Sequence, residues 1–305
     1  MLKLQSAMEY LMTYGWALLI IAVVLIVLYQ LGVFSGILGA RAQPGSCFVE
    51  RPNGPYSIQQ LATGGSCGTT LPEYVPSFGS SSASQVYSNS ISDAAICPNT
   101  ITAWAEVTSF SGVAGYNDLI VAGTYTQNAC DTSFGIYINK KGDHEADFVV
   151  SPTNIDGETP CTATSPSGSI MENKWYFLTG TSNGIGCSIY INSTLKNYAV
   201  ASGPLSGLPG LSPNQVGIGG DLIMDSKDWL PSYISNVQFY NSTLSQSDIS
   251  ALYQEGIGGA PINLVNLAGW WPLNGNEKDY SGDNLNLQAT GISYVNSWTS
   301  GYTPP

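Results

Sequence analysis

The sequence predicts a mainly β protein that begins with one long hydrophobic helix. Charged residues make up only 10% of the 305-residue chain, whereas glycine and tyrosine are abundant, with 34 and 18 copies. This composition is typical of an all-β body with many polar turns. The helix is predicted because residues 10–40 contain no charged side chain. As a helix this stretch would be about 45 Å long, which exceeds the ~30 Å hydrocarbon thickness of a bilayer.

The hydrophobic segment opens with the motif Gln-Ser-Ala-Met-Glu-Tyr-Leu, which starts at Gln5. The motif resembles the class III signal peptide of archaeal type IV pilin-like proteins, in which a peptidase cuts before the glutamine and leaves the helix attached. The resemblance implies a leader of residues 1–4, cleavage after Leu4, and a retained membrane or filament helix over residues 5–40. Glu9 would then neutralise the new N-terminal ammonium of a neighbouring subunit, because an unpaired carboxylate is costly in an apolar bundle.

Two arrangements of this segment stay open. In the first, the helix assembles with identical subunits or other pilins into an extracellular filament. In the second, it is a plain signal anchor that crosses the cell membrane once and holds the C-terminal domain outside. The leader departs from the family pattern, because Lys3 and Leu4 stand where Lys-Gly or Arg-Gly is usual. Both arrangements place the rest of the chain at the cell surface.

Cysteines and sequons beyond the hydrophobic segment also indicate an exported domain. Residues 41–74 form a linker and cysteine-containing region, and the six cysteines of the chain are Cys47, Cys67, Cys97, Cys130, Cys161 and Cys187. An even number after an export signal favours up to three disulfides, with Cys47 and Cys67 the first choice on proximity alone. The alternative is that some are buried thiols. Asn192 and Asn241 begin Asn-Ser-Thr sequons for N-glycosylation.

The charge balance argues against a nucleic-acid partner. The chain has 21 acidic and 9 basic residues, and phosphate binding needs clustered Lys and Arg, of which Lys140 and Lys141 are the only adjacent pair. The single histidine, His144, cannot by itself supply a His-based metal site or a Ser-His-Asp triad. We therefore expect His144 to be a solvated loop residue.

Short strands separated by turns are predicted through most of the exported part. Between residues 47 and 98 the chain is rich in turn residues and indicates strands without clear bounds. Beyond that point, alternating, β-branched and aromatic segments predict strands at residues 101–107, 119–125, 134–139, 175–182, 187–192, 215–219, 233–240, 267–272 and 292–298. Many short strands at near-regular spacing are typical of a sandwich or jelly roll.

One amphipathic helix interrupts these strands. The segment from Ser245 to Gly256 starts at a serine that can cap the helix and stops at a glycine. Ile249, Leu252 and Tyr253 fall on one face at helical spacing. This pattern predicts a short helix packed on the edge of a sheet.

Several segments together resemble the LamG-like, concanavalin A-like lectin/glucanase jelly roll. They are the Trp-led segment 175–181 with 188–192, the strand 234–240 followed by the helix, and the aromatic segment 270–282. The resemblance implies such a domain over residues 75–298, followed by a tail at 299–305. The segment that usually opens the domain stands last here, so residues 267–298 either close a permuted jelly roll or begin a truncated second copy. Permutation is favoured, because a lone hairpin would be unstable.

The resemblance implies a fold that serves lectins, glycosidases and structural spacers. The glucanase branch needs carboxylates at alternate positions of one strand in a Glu-x-Asp-x-x-Glu signature. The nearest approach is Glu145-Ala-Asp147, and position 150 is a valine. The sequence therefore predicts no hydrolase.

A lectin would bind sugars through exposed aromatic rings and through Asp or Asn oxygens, sometimes with calcium. The candidate platforms are Trp229, Trp270, Trp271 and Trp298, most of which we expect to be buried in the core. The candidate calcium ligands are Asp279, Asp283 and Asn284, although this loop could be a simple turn. The prediction is a pilin-like, membrane-anchored archaeal surface protein with a non-catalytic head for adhesion or glycan binding. The alternative is a single-pass membrane lectin or structural surface protein that forms no filament.

Overall fold

The computed structural model describes residues 19–24, 47–50, 60–63, 71–79, 84–88, 99–111, 116–126, 129–139, 143–150, 161–203, 205, 215–220 and 229–305. Residues 19–24 are helical. The predicted leader, with Leu4, Gln5 and Glu9, and the rest of the hydrophobic segment lie outside these residues. Within the described ranges, no helix is both long enough and apolar enough to cross a bilayer.

Beyond residue 46, the described part of the chain is built almost entirely of strands that pair in antiparallel fashion. Numbered along the chain, they are β1 (Cys47–Glu50), β2 (Gln60–Thr63), β3 (Val75–Phe78), β4 (Gln85–Ser88), β5 (Thr100–Val107), β6 (Tyr116–Thr126), β7 (Ala129–Asn139), β8 (Glu145–Val150), β9 (Cys161–Thr164), β10 (Trp175–Ser182), β11 (Gly186–Ile191), β12 (Thr194–Val200), β13 (Gln215–Ile218), β14 (Ser232–Tyr240), β15 (Leu267–Trp271), β16 (Gln288–Thr290) and β17 (Ser293–Val295).

Two large sheets and one small hairpin result from the pairing. The eight-stranded sheet has the order β12-β11-β10-β5-β14-β3-β17, and β15 pairs with the C-terminal half of β14. The seven-stranded sheet has the order β16-β4-β13-β6-β7-β8-β9, while β1 and β2 pair only with each other. The mainly β, jelly-roll-like sandwich predicted from the sequence is confirmed.

The main core lies between the two sheets, because alternate residues of each strand point inward. From the eight-stranded sheet, Ile101 and Leu178 are 0 and 1% exposed, and from the seven-stranded sheet Ile136 and Phe148 are both fully buried. Gly180 on β10 permits this close approach, since a Cβ at that position would overlap the ring of Phe148.

A disulfide joins the two sheets at one side of the sandwich. It links Cys161 on β9 to Cys187 on β11, with a Cα–Cα distance of 6.0 Å. Beside it, the Asn197 side chain donates a hydrogen bond of 2.9 Å to the carbonyl oxygen of Thr164. The prediction of disulfides is thus confirmed for one pair. The side chains of Cys47, Cys67, Cys97 and Cys130 lie outside the described part, so the Cys47–Cys67 pairing stays a prediction.

The outer face of the eight-stranded sheet is covered by a second apolar cluster. Its cover includes the helix Gln246–Glu255, which begins after the N-cap Ser245 and ends at Gly256 as predicted. Ile249 and Leu252 of this helix are buried in the cluster. Farther along the chain, the Tyr302 ring packs 5.4 Å from the ring of Trp104 on β5.

Residues 267–295 contribute strands to both large sheets. The strand β15 pairs with β14, β16 pairs with β4, and β17 pairs with β3. The indole of Trp298 then donates to the carbonyl oxygen of Pro72, 226 positions earlier in the chain. These contacts tie the last described segment to the first strands of the sandwich. The predicted tail at 299–305 contains Tyr302, whose hydroxyl accepts a 3.2 Å hydrogen bond from the Ile257 amide.

Candidate functional site

Several described side chains on the outer face of the seven-stranded sheet are only partly covered. On the eight-stranded sheet, every residue of β5 and β10 is buried, whether it points inward or outward. On the seven-stranded sheet, outward side chains are only half-buried at Tyr87, Tyr137, Glu145, Val149, Thr162 and Thr164. Among the described residues, this second face therefore combines half-buried side chains with buried polar groups.

Asp147 is a buried carboxylate on that face. It lies on β8, opposite Tyr137 of β7 and Thr164 of β9. Its neighbours Ala146 and Phe148 point into the core, so alternation turns Asp147 outward, yet the residue is only 1% exposed. Its Oδ1 has no hydrogen-bond partner within the described structure. A buried acceptor without a donor is costly, which makes this atom the most distinctive feature of the face.

Burial also changes the acidity of Asp147. Loss of solvent raises the pKa of this carboxyl above its usual range, a hydrogen bond from Thr164 partly opposes that shift, and the negative charge of Glu145 adds to it. Such a carboxyl gains from any ligand that donates a hydrogen bond to it.

The Tyr137 ring lies over Gly135, because the glycine two residues earlier on β7 leaves room for it. A Cβ at Gly135 would come within 2.5 Å of the Tyr137 ring and 2.8 Å of its hydroxyl oxygen. The phenol ring therefore occupies the space above Gly135, and the residue is half-buried. An aromatic ring in this orientation can stack on an apolar ligand face.

Gln85 supplies a second buried acceptor in the same row of the sheet. The inward residues next to this row form one continuous ladder of Val86, Ile218, Ile120, Ile136 and Phe148. Gln85 and Asp147 stand beside the two ends of that ladder, about 19 Å apart at four inter-strand spacings. Gln85 is 1% exposed, and its Oε1 has no hydrogen-bond partner among the described residues. We call Gln85, Tyr137, Asp147 and Thr164 the acceptor row.

The carboxylates nearest to a glucanase signature share this face but lack the third group. Glu145 and Asp147 are two residues apart on β8 and both point outward. Val150, at the position of the missing glutamate, is fully buried in the core. A carboxylate there would point away from the face, and the absence of hydrolase activity stays a prediction.

His144 does not join the acceptor row. Its ring stacks on Phe110 with ring centroids 4.0 Å apart and an interplanar angle of 4°. The imidazole is half-buried rather than fully solvated, because it covers one side of the Phe110 ring. This contact gives His144 a packing role.

The predicted tryptophan platforms are all buried. Trp229, Trp270, Trp271 and Trp298 are between 0 and 3% exposed. Three of the indoles donate hydrogen bonds inside the protein, for example Trp270 to Oδ1 of Asn236 at 2.8 Å. A pocket beside Trp270 has a volume of about 20 Å³, which is room for a single water molecule. None of the four can stack on a sugar in this conformation.

The predicted calcium loop is organised around Asp279 in another way. Its Oδ1 accepts hydrogen bonds from the amides of Trp270 and Ser281, and its Oδ2 accepts from the Ser281 hydroxyl and the Leu285 amide. Four donors at 2.8–3.0 Å surround this carboxylate, so Asp279 does not fit a calcium ligand here. Among the described residues, no group of three or more His, Cys, Asp or Glu could hold a metal ion. A calcium role for Asp283 and Asn284 stays a prediction.

The two sequons differ in their surroundings. Asn192 lies in the turn between β11 and β12, and its Oδ1 accepts a 2.9 Å hydrogen bond from the Phe177 amide. Asn241 follows β14 and is exposed. Glycosylation of either residue stays a prediction, and the geometry favours Asn241.

Sequence reasoning did not identify Tyr137 and Gln85, and it noticed Asp147 only as part of a failed signature. The useful signal was the segment Gly135-Ile-Tyr137, in which a glycine precedes an outward aromatic residue by two positions. Gln85 and Asp147 stand in one row because of the register of the five strands from β4 to β8. Local sequence pattern does not reveal this register.

A family model of the concanavalin A-like lectin/glucanases superfamily, of laminin G type, matches residues 78–250, more than half of the chain. The chain therefore belongs to this superfamily. No curated protein matches the sequence.

Solved structures add relatives of the fold. The chain is similar to a Bacteroides ovatus protein proposed to bind carbohydrate, with 16% identity and a TM-score of 0.50 over 74% of this chain and 60% of that chain. It is also similar to the CBM40 domain of a Ruminococcus gnavus IT-sialidase, with 19% identity, a TM-score of 0.43 and coverage of 60% and 98%. The chain is similar as well to the SAP-like pentraxin of Limulus polyphemus, with 14% identity and a TM-score of 0.45 over 74% of this chain and 91% of that chain. Identities of this size show the fold alone.

Proposed function

We propose that this protein is a non-catalytic glycan-binding module whose ligand lies on the outer face of the seven-stranded sheet. The observation that carries the proposal is the buried Oδ1 of Asp147, which has no hydrogen-bond partner in the described structure. A sugar hydroxyl is a suitable donor to such a carboxylate oxygen, and a hydrogen bond to a charged acceptor is stronger than one between neutral groups.

The other members of the acceptor row complete a sugar-binding arrangement. Tyr137 presents the face of its ring, on which the C–H side of a pyranose can stack, and Gln85 offers an amide oxygen to a second hydroxyl. From Gln85 on β4 to Thr164 on β9 the row covers five inter-strand spacings, or about 24 Å, so several linked sugar units can lie along it. Ligand sites commonly combine such an apolar platform with a few placed polar groups.

The comparisons support this proposal at the level of the fold. The superfamily includes lectins, and the similar Bacteroides ovatus protein is itself proposed to bind carbohydrate. The chain spans only 60% of that protein's length. The absence of a third outward carboxylate on β8 favours binding over hydrolysis.

We place the module at the cell surface on the N-terminal helix. Support comes from the pilin-like motif that starts at Gln5, from the uncharged segment after it, and from the Cys161–Cys187 disulfide, which is typical of an oxidising compartment. The mass of the mature N-terminus tests this. A chain that starts at Gln5 indicates pilin-type processing, whereas a chain that retains residues 1–4 indicates a signal anchor.

A glycan array tests the binding proposal directly. Wild-type protein is compared with Asp147→Ala, Tyr137→Ala and the matched control Tyr198→Ala, which removes a partly exposed tyrosine from the edge strand of the other sheet. We expect the first two variants to lose at least about tenfold in affinity and the control to bind like wild type. Unchanged binding by the folded Asp147 and Tyr137 variants would contradict the proposal.

A further inference from the structure

We infer that the acceptor row selects uncharged, hydroxyl-rich glycans and rejects glycans that carry a carboxylate or sulfate at the contact. This inference rests on the proposed function, because it names the class of ligand for the same face. Two observations support it. The polar groups without a partner on this face are hydrogen-bond acceptors, and the charged side chains described on the face are negative.

Both unsatisfied groups of the row are hydrogen-bond acceptors. They are the Oε1 of Gln85 and the Oδ1 of Asp147, each on a residue that is 1% exposed. An acceptor needs a donor, and a neutral sugar offers a hydroxyl donor at nearly every carbon. A carboxylate or sulfate group offers only acceptors, so placing one here would leave both partners unsatisfied.

The charges of the face point the same way. The described outward side chains of the seven-stranded sheet are Gln85, Tyr87, Tyr137, Glu145, Asp147, Val149, Thr162, Thr164, Gln288 and Thr290. Only two of these are charged, and both are acidic. Burial raises the pKa of Asp147 and the negative charge of Glu145 adds to that shift, so a third negative charge would be repelled by both carboxylates. The acidic balance of the whole chain, 21 against 9, acts in the same direction.

The two lysines nearest in sequence to β7 and β8 offer an alternative binding route that the experiment must separate. Lys140 and Lys141 join β7 to β8 and lie outside the described residues. A face that used them for anionic glycans would bind through these lysines and not through the acceptor row. The variant Lys140→Gln/Lys141→Gln separates the two routes.

The experiment uses an array that prints each neutral oligosaccharide beside its sialylated, sulfated or uronic-acid counterpart. The best pair is then measured by calorimetry at about 20 mM and 500 mM salt. We expect the acidic member to bind at least about tenfold more weakly at low salt and the difference to shrink at high salt, where charges are screened. Glu145→Gln is expected to reduce the difference in affinity between the acidic and the neutral glycan and to leave the affinity for the neutral glycan unchanged. The variant Lys140→Gln/Lys141→Gln is expected to change neither the difference nor the affinity for the neutral glycan.

Two failures are distinguishable. If no printed glycan binds, or if binding does not depend on Tyr137, the proposed function fails and this inference with it. If Tyr137-dependent binding is as tight for the acidic member as for the neutral one, or depends on Lys140 and Lys141, only the inference is overturned.

Discussion

At the scale of single residues, the proposed site predicts that Asp147 couples stability to binding. Its partnerless Oδ1 is buried on the acceptor row, and burial of a carboxylate without a full set of donors costs free energy. A residue that destabilises the free protein and is satisfied only by a ligand is typical of a binding site.

The variant Asp147→Asn tests this coupling. Replacement by a neutral amide should raise the free energy of unfolding at pH 8 by about 1 kcal/mol, because a smaller desolvation cost remains. The same change should weaken glycan binding, because the charged acceptor is lost. Thermal unfolding and calorimetry measure the two effects. A variant that is less stable and binds normally would show that Asp147 serves only the fold.

Glu106 is a second buried acid, on the outer face of the eight-stranded sheet. It lies between Trp175 and Tyr233 in the ladder, is 4% exposed, and its Oε2 has no partner in the described structure. Burial raises the pKa of Glu106 from 4.5 to about 7, with a hydrogen bond to Trp175 acting in the opposite direction. The folded protein therefore holds this proton more tightly than the unfolded chain.

The sign of the resulting pH dependence follows from linkage. The stabilisation that comes from protonated Glu106 is fully present below about pH 4.5. It is lost as the pH rises to 7 and above, so the free energy of unfolding falls over this range. We expect a loss of about 1–2 kcal/mol between pH 5 and pH 8, part of which Glu106→Gln removes. Asp147, whose pKa is also raised, contributes in the same direction. Urea unfolding at both pH values measures the difference. If the free energy of unfolding changed equally between the two pH values in wild type and in Glu106→Gln, Glu106 would be excluded as the source of the pH dependence.

At the scale of elements, local chemistry explains which segments could be predicted. The helix Gln246–Glu255 was predicted at both ends, because Ser245 and Asp248 form a capping box and Gly256 stops it. The strand Trp175–Ser182 was predicted with its observed bounds, because aromatic and β-branched residues open it.

Other strands carry little local signal. The strand β8 begins with Glu145, Ala146 and Asp147, which have low strand propensity. It forms because Phe148 and Val150 enter the core and because β7 and β9 pair on both sides. The candidate site shares this origin. It depends on which residues face each other across strands, and this register is set by the whole sandwich.

Within β7, the spacing of Gly135 and Tyr137 can be tested without touching the aromatic ring. Gly135→Ala places a methyl group where the ring now lies, so the ring must rise from the sheet. We expect at least about fivefold weaker glycan binding, with a stability loss of about 1–3 kcal/mol from the overpacked contact. Titration with the best array glycan measures the affinity. Unaltered affinity would show that the position of the Tyr137 ring over Gly135 is not required.

At the scale of the whole molecule, the two sheets have different tasks. In the eight-stranded sheet, the central strands β5 and β10 are buried on both faces, whereas the edge strand β12 is mostly exposed. In the seven-stranded sheet, several described outward side chains are half-buried. The family resemblance predicted the sandwich, but it could not show which outer face the helix and the C-terminal segment would cover.

The Cys161–Cys187 disulfide holds these sheets together at one side. It closes a separation of 26 residues, for which loop-closure entropy alone predicts about 3.5 kcal/mol of stabilisation. The double variant Cys161→Ala/Cys187→Ala should lose about that amount in urea unfolding, while reduced wild type should lose a similar amount. A loss below about 1 kcal/mol would show that the packed core fixes the two sheets without the bond.

The pairing of the last strands with the first has a consequence for the order of events during synthesis. The strands β3 and β4 lack one neighbour each until β17 and β16 arrive, and Pro72 meets Trp298 only after 226 further residues have been made. A chain still being synthesised therefore keeps an open edge at β3 and at β4. The sandwich is complete only when β16 and β17 have been made.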